Sequence, residues 1–201
     1  MGRKEAGEVQ NADRAERILE LAKKLGALTF GEFTLSSGQK SSYYFDGRLL
    51  SLDPEGLQEI AEALLPMVRK AGATAIGGPT LGADPIVGGI VLLSAQRGVG
   101  LTGFLVRSAT KQHGTGKLIE GPLKPGTPVA VVDDTVSTGG NLLKAIEAAE
   151  AHGCNIVKVL AILDRHQGGS VELKRRGYDF EALLEANPDG QIGPVRRSAG
   201  T

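Results

Sequence analysis

A chain of 201 residues is long enough for one domain with a sizeable core. Its 23 lysines and arginines balance 23 aspartates and glutamates, which removes any global electrostatic case for nucleic acid or an anionic membrane surface. Cys154 is the only cysteine, so no intramolecular disulfide forms. The N-terminus is polar and has no apolar signal core, and the longest apolar run, 85–93, is far short of the roughly 20 residues that span a bilayer; a cytoplasmic protein is the expectation.

Residues 1–12 read as a flexible N-terminus. From Asp13 onward, Ile18, Leu21, Ala22 and Leu25 mark one face of a helix, with Gly26 as its C-cap. Residues 27–35 and 42–46 alternate like two strands around a Ser-Ser-Gly turn, so 13–50 reads as a helix followed by small hood strands. Tyr43, Tyr44 and Phe45 crowd the second of these strands; on residue type alone they are hood packing, or else a wall for a planar ligand. An amphipathic helix follows through Leu57, Ile60, Ala61, Leu64, Leu65 and Val68. Strand and helix patterns then alternate from Ala73 to Leu163. That alternation predicts an α/β fold with a doubly wound, mostly parallel sheet flanked by helices, its core spanning 51–185 and a loose tail covering 186–201. In such sheets ligands bind beyond the carboxyl ends of the strands, so the loops starting near Gly78, Asp133 and Asp164 are expected to converge.

The most informative stretch is 129–141. A short β-branched run ends on Asp133 and Asp134, passes through Thr135, Val136, Ser137, Thr138, Gly139, Gly140 and Asn141, and enters a helix near Thr138 or Gly139. The free N–H groups and positive dipole end of that helix favour an anion. Two carboxylates would repel a phosphate, but they suit a ligand that also carries sugar hydroxyls or a metal ion, as a ribose 5-phosphate does. The plainer reading is a capped strand–helix connection. Residues 107–121 form a second unusual segment, with Arg107, Lys111, His113 and Lys117 among glycines and no core residue before Leu118. It is either a solvated surface loop or a mobile flap whose cations reach a polyanion on closing.

The 129–141 segment resembles the phosphoribosyl-pyrophosphate (PRPP) signature of the type I phosphoribosyltransferases. Within that group, Arg107 with Lys111 and His113 is similar to the flap of orotate phosphoribosyltransferase. The stretches 33–46, 77–84 and 162–169 resemble its hood, its diphosphate-side turn and its base-recognition segment. The resemblance implies transfer of a phosphoribosyl group from PRPP to orotate with Mg²⁺, by a homodimer whose flap serves the neighbouring subunit. It implies that Asp133 and Asp134 meet the ribose hydroxyls and, through water, the Mg²⁺; that Ser137, Thr138, Gly139, Gly140 and Asn141 hold the 5′-phosphate, with Thr135 and Val136 also on PRPP; and that Arg107, Lys111 and His113 close on the diphosphate, Lys111 and Asp134 being catalytic. Orotate would meet Arg165, Ser137, Tyr44 and Phe45, although from residues alone Arg165 is as well read as a surface pair with Asp164 or Glu172.

There are departures. Ser108 stands where the family usually has a second lysine, Ser36 and Gly82 where one branch has lysines, Ser137 where a threonine is common, and Asn141 where a serine or threonine is frequent. They leave open a phosphoribosyltransferase for another base. A non-catalytic, PRPP-sensing regulator that binds nucleic acid through Arg175, Arg176, Arg196 and Arg197 is the alternative of another class.

Overall fold

The computed structural model describes residues 2–34, 38, 40–108 and 118–195. Its elements are α1 (Gly2–Lys24), β1 (Leu28–Thr34), β2 (Lys40–Phe45), α2 (Gly47–Ser51), α3 (Pro54–Lys70), β3 (Ala75–Pro79), α4 (Ala83–Gln96), β4 (Thr102–Val106), β5 (Ile119–Glu120), β6 (Pro128–Val136), α5 (Gly140–Ala151), β7 (Asn155–Asp164), α6 (Gly169–Arg175), β8 (Phe180–Ala186) and β9 (Ile192–Pro194). None of the described helices is long and apolar enough to cross a membrane.

Seven strands form the main sheet in the order β5-β4-β3-β6-β7-β8-β9. The five inner strands run parallel, and β5 and β9 close the two edges antiparallel. Strand alternation divides the core. Ala130 and Val132 of β6, with Leu160 and Ile162 of β7, face Ile18, Ile60, Leu64, Ile86 and Ile90 of α1, α3 and α4. Val129, Val131, Val159 and Ala161 point the other way, against Leu142, Ile146 and Leu173 of α5 and α6. Both faces are thereby covered, which is why these strands read as unbroken apolar runs. Each such aliphatic side chain contributes about 1.5–3 kcal/mol on burial.

The chain leaves β3 towards β4 on one side, then returns to place β6 on the other side of β3. The reversal opens a crevice at the carboxyl ends of β3 and β6, where doubly wound sheets bind ligands. The hood is the separate antiparallel pair β1–β2, with Phe30 opposite Tyr43 and Phe33 opposite Ser41 around a bulge.

Two segments that the sequence left without an element carry one. Residues 2–12 lie in the opening turns of α1, a stretch rich in Glu, Lys, Ala and Gln with no proline to stop the helix. The tail through Val195 is tied down, because β9 pairs with β8 and the N–H of Val195 donates to the Leu183 carbonyl at 3.1 Å.

Candidate active site

The acidic pair ends the buried part of β6. Asp133 is 7% exposed, and its Oδ1 accepts the Asp134 N–H at 2.9 Å. Two backbones press on the pair. A Cβ added at Gly82, in the turn between β3 and α4, would lie 2.8 Å from Oδ1 of both Asp133 and Asp134. One added at Gly47, at the start of α2, would lie 2.7 Å from the Asp134 Cβ. Only glycine permits that approach. Burial, and then the neighbouring Asp134 carboxylate, push Asp133 up to about 8; burial likewise raises Asp134, opposed in part by the Arg48 guanidinium. Arg48 is itself held by Asp46 through a forked pair of hydrogen bonds at 2.9 and 3.0 Å.

Such a pair needs a cation or hydroxyl donors in order to ionise in place. Among the described residues no group of three or more His, Cys, Asp or Glu is gathered to hold a metal. Two hard oxygen donors without a third protein ligand fit Mg²⁺, which keeps several waters and takes its remaining ligands from substrate phosphates.

Beyond the pair the chain passes through Ser137 and Thr138 to Gly139, whose φ of 81° turns it into α5. Among the described residues no side chain caps this helix, so its first amides are left for a ligand. The third loop is sewn to this turn. The Arg165 N–H donates to the Val136 carbonyl and the Gly169 N–H to the Ser137 carbonyl, each at 2.9 Å. A Cβ added at Gly169 would stand 2.6 Å from the Gly139 nitrogen. On the other side, the Thr80 N–H donates to the Val106 carbonyl at 3.0 Å, and the Thr80–Leu81 peptide bond is cis. The loops after β3, β6 and β7 therefore meet on one rim, as their spacing in the sequence implied.

Arg165 leans towards the hood. Its Nε donates to the Tyr43 hydroxyl at 3.1 Å, its Nη2 donates to Ser41 Oγ at 3.4 Å, and its guanidinium carbon lies 4.9 Å from the centre of the Tyr43 ring. Neither acid considered from the sequence pairs with it. Asp164 Oδ1 accepts the His166 N–H at 2.9 Å, and Glu172 is engaged by Arg175 and Arg176. His166, at φ 51°, also reaches Glu185 at 2.9 Å. Strand alternation turns Tyr43 and Phe45 inward and Tyr44 outward. The Phe45 side chain belongs to the main core, and Tyr44 stands 44% exposed with its ring 5.8 Å from that of Phe33. The hood side chains that meet Arg165 are Tyr43 and Ser41. The period-two spacing of Tyr43 from Phe45 is visible in the sequence, but the partner 122 residues away is not.

Arg107 leaves β4 at the same end of the sheet. Its N–H donates to the Leu118 carbonyl at 2.9 Å and its Nη1 reaches Glu120 at 3.4 Å, so the stem of the 107–121 segment is pinned as β4 pairs with β5. Among the described residues, the buried Nε of Arg107 has no hydrogen-bond partner. Lys111, His113 and Lys117, like Ser36, lie outside the described residues. Arg175 and Arg176 both pair with Glu172, and Arg176 also with Glu147; Arg196 and Arg197, the other half of the nucleic-acid face considered above, lie outside the described residues.

Residues 58–181 match the model of the phosphoribosyl transferase domain. Orotate phosphoribosyltransferase from Rhodopirellula baltica is 43% identical, covering 78% of this chain and 84% of its own length. The chain belongs to the orotate phosphoribosyltransferase family. The Aquifex aeolicus member is 38% identical over 85% of this chain and 94% of its own. The Mycobacterium tuberculosis member, in a crystal structure with PRPP, superposes with a TM-score of 0.71 at 31% identity, covering 86% of this chain and 96% of that one. Family membership makes this chain a glycosyltransferase-type enzyme and accounts for a rim that offers an anion turn, an acidic pair and an arginine together.

Proposed function

We propose that the chain transfers the 5-phosphoribosyl group of PRPP to orotate, giving orotidine 5′-monophosphate and pyrophosphate, a step of UMP synthesis. The observation that carries this reading is the shared rim: an acidic pair with Asp133 buried, a helix N-terminus without a side-chain cap and Arg165 on adjoining loops. Breaking the C1–O bond makes the ribose oxocarbenium-like while charge builds on the departing pyrophosphate. Placement and charge stabilisation are therefore the work of the site.

In this reading the amides and hydroxyls of Ser137, Thr138, Gly139, Gly140 and Asn141 hold the 5′-phosphate, and Thr135 and Val136 also line the PRPP site. Asp133 and Asp134 accept from the ribose hydroxyls, and the Gly47 and Gly82 backbones keep both carboxylates at that height. Mg²⁺, held by PRPP and by water near the pair, supplies charge neutralisation for the diphosphate. Arg107, Lys111 and His113 cover the leaving group, with Lys111 from the neighbouring subunit of a homodimer. Arg165 forks onto the orotate carboxylate, a match its planar geometry provides, with Ser137 beside the base. A cytoplasmic location completes the proposal.

The test is a panel of bases offered with PRPP and Mg²⁺ to the purified chain. Orotate is consumed at least 100-fold faster than adenine, hypoxanthine or uracil. A purine consumed faster than orotate would overturn the assignment and give weight to the departures at Ser36, Gly82 and Ser108.

A further inference from the structure

Arg165 differs from many arginines of this chain in what holds it. Arg14, Arg17, Arg48, Arg97, Arg107, Arg175 and Arg176 each have a carboxylate partner. Among the described residues, Arg165 is held only by neutral oxygens and a ring face, the Tyr43 hydroxyl, Ser41 Oγ and the Tyr43 ring. A carboxylate partner would cancel its charge. Two hydroxyls fix its direction and leave the positive charge uncompensated. They also occupy the Nε and one Nη2 position, so the outer edge carrying Nη1 and the second Nη2 hydrogen remains for a forked contact with an anion.

The two hydroxyls are themselves fixed. Tyr43 is 5% exposed and lies opposite Phe30 in the hood. Ser41 Oγ donates to the Tyr43 carbonyl at 2.6 Å. Behind this strand stands the turn between β8 and β9. Its Gly190 N–H donates to the Asn187 carbonyl at 2.9 Å and its Gln191 N–H to Asn187 Oδ1 at 2.8 Å. A Cβ on Gly190, at φ 77°, would come within 2.1 Å of Ser42 Oγ. The tail therefore backs the hood strand, and an open groove of about 1050 Å³ runs between that turn, β2 and Arg165.

We infer that Tyr43, assisted by Ser41, is the positioning residue that aims Arg165 at the carboxylate of the base, so that the hood strand and the tail turn behind it set the preference for a carboxylated pyrimidine. An arginine has several freely rotating bonds, and ordering them at each binding event costs affinity; a preformed tether removes most of that cost. The inference rests on the proposed base site at Arg165, and its test separates the two.

The full-length chain is assayed at saturating PRPP with orotate varied, and then with the substrates exchanged, for Tyr43→Phe, Ser41→Ala, Arg165→Ala and the Tyr43→Phe/Arg165→Ala pair. Tyr43→Phe keeps the ring and its packing and deletes only the hydroxyl. It raises the KM for orotate about tenfold, which is near the lower end for a hydrogen bond to a charged group, and leaves the KM for PRPP within about twofold. Ser41→Ala, losing the longer bond, raises the orotate KM about threefold. In the Arg165→Ala background Tyr43→Phe has no further effect, because the group it positions is gone. If Arg165→Ala weakens orotate but Tyr43→Phe does not, or if Tyr43→Phe adds its full effect in the absence of Arg165, the positioning role is wrong and the base site stands. If Arg165→Ala leaves the orotate KM unchanged, the base site itself is misplaced and the inference falls with it.

Discussion

Replacing Gly47 by alanine tests how narrowly the acidic pair is held. The new methyl would sit 2.7 Å from the Asp134 Cβ, 2.8 Å from its Oδ2 and 3.1 Å from its Cγ. Carbon atoms in favourable contact lie about 3.5–4.0 Å apart, so the aspartate has to retreat by about 1 Å. The crowded atom includes Cβ, which a side-chain rotation does not move. Gly47 lies outside the left-handed φ region, so alanine meets no backbone penalty, and the damage is confined to the displaced carboxylate. Overpacking of this kind costs about 1–3 kcal/mol of stability. A reacting group misplaced by about 1 Å costs about 10²-fold in rate, or about 2.7 kcal/mol in the barrier. Initial rates of orotate loss at varied PRPP read this directly, and Gly47→Ala lowers kcat/KM for PRPP about 100-fold. The control is Gly88→Ala on the exposed face of α4, where an added Cβ meets nothing within 4 Å. It leaves the rates unchanged and stabilises the helix by about 0.5–1 kcal/mol. Rates within twofold of the parent for Gly47→Ala, in a folded protein, would refute the claim that this backbone sets the carboxylate's position.

Asp133, held up to about 8 by burial and its neighbour, keeps a proton in the folded state that the unfolded chain has already released. The free energy of unfolding therefore falls as pH rises from about 4 to about 8, by at most about 1.4 kcal/mol per pH unit, and Asp133→Asn flattens that slope in denaturant titrations; an unchanged slope would mean that the pair ionises together. Lys111→Ala lowers turnover by about 10²–10³ with little change in melting temperature. Mixing it with Asp134→Asn chains restores activity if the flap serves the adjoining subunit, whereas confirmed subunit exchange without recovery places the flap over its own site. Lys158, 3% exposed on β7, is paired with Asp179 and Glu181, which are 65% and 36% exposed at the side chain. Lys158→Met changes stability by less than about 1.5 kcal/mol, because a methionine of similar length fills the buried space and Asp179, 65% exposed at the side chain, returns to water when its partner is lost; a larger loss in thermal melts would show that the ion pair does more than neutralise a buried ammonium.

What was legible in the sequence was local. The run into Asp133 and Asp134, the glycines after it and the apolar spacing of Leu142, Ile146 and Ala149 all lie within about twenty residues, and the structure has strand, turn and helix there, with α5 starting at Gly140. Alternation of strand and helix was enough for the sheet and for the meeting of three loops at its carboxyl edge. Contacts between distant segments were not legible. Nothing near Gly47 or Gly82 in the sequence says that Asp134 lies against them. The Tyr43–Arg165 contact joins residues 122 apart, and only the closed hood brings them together. The strand in the tail was not legible for the same reason: an edge strand of three residues, two of them glycine and proline, has no periodicity to detect, and it forms by pairing with β8.

The most direct measurement follows orotate by its absorbance and pyrophosphate by a coupled enzyme in the same reaction, with the purified chain, Mg²⁺ and PRPP. The account predicts that the two change one for one, and that neither changes when PRPP is left out. Pyrophosphate released without loss of orotate, or no turnover of either by folded protein, would contradict it.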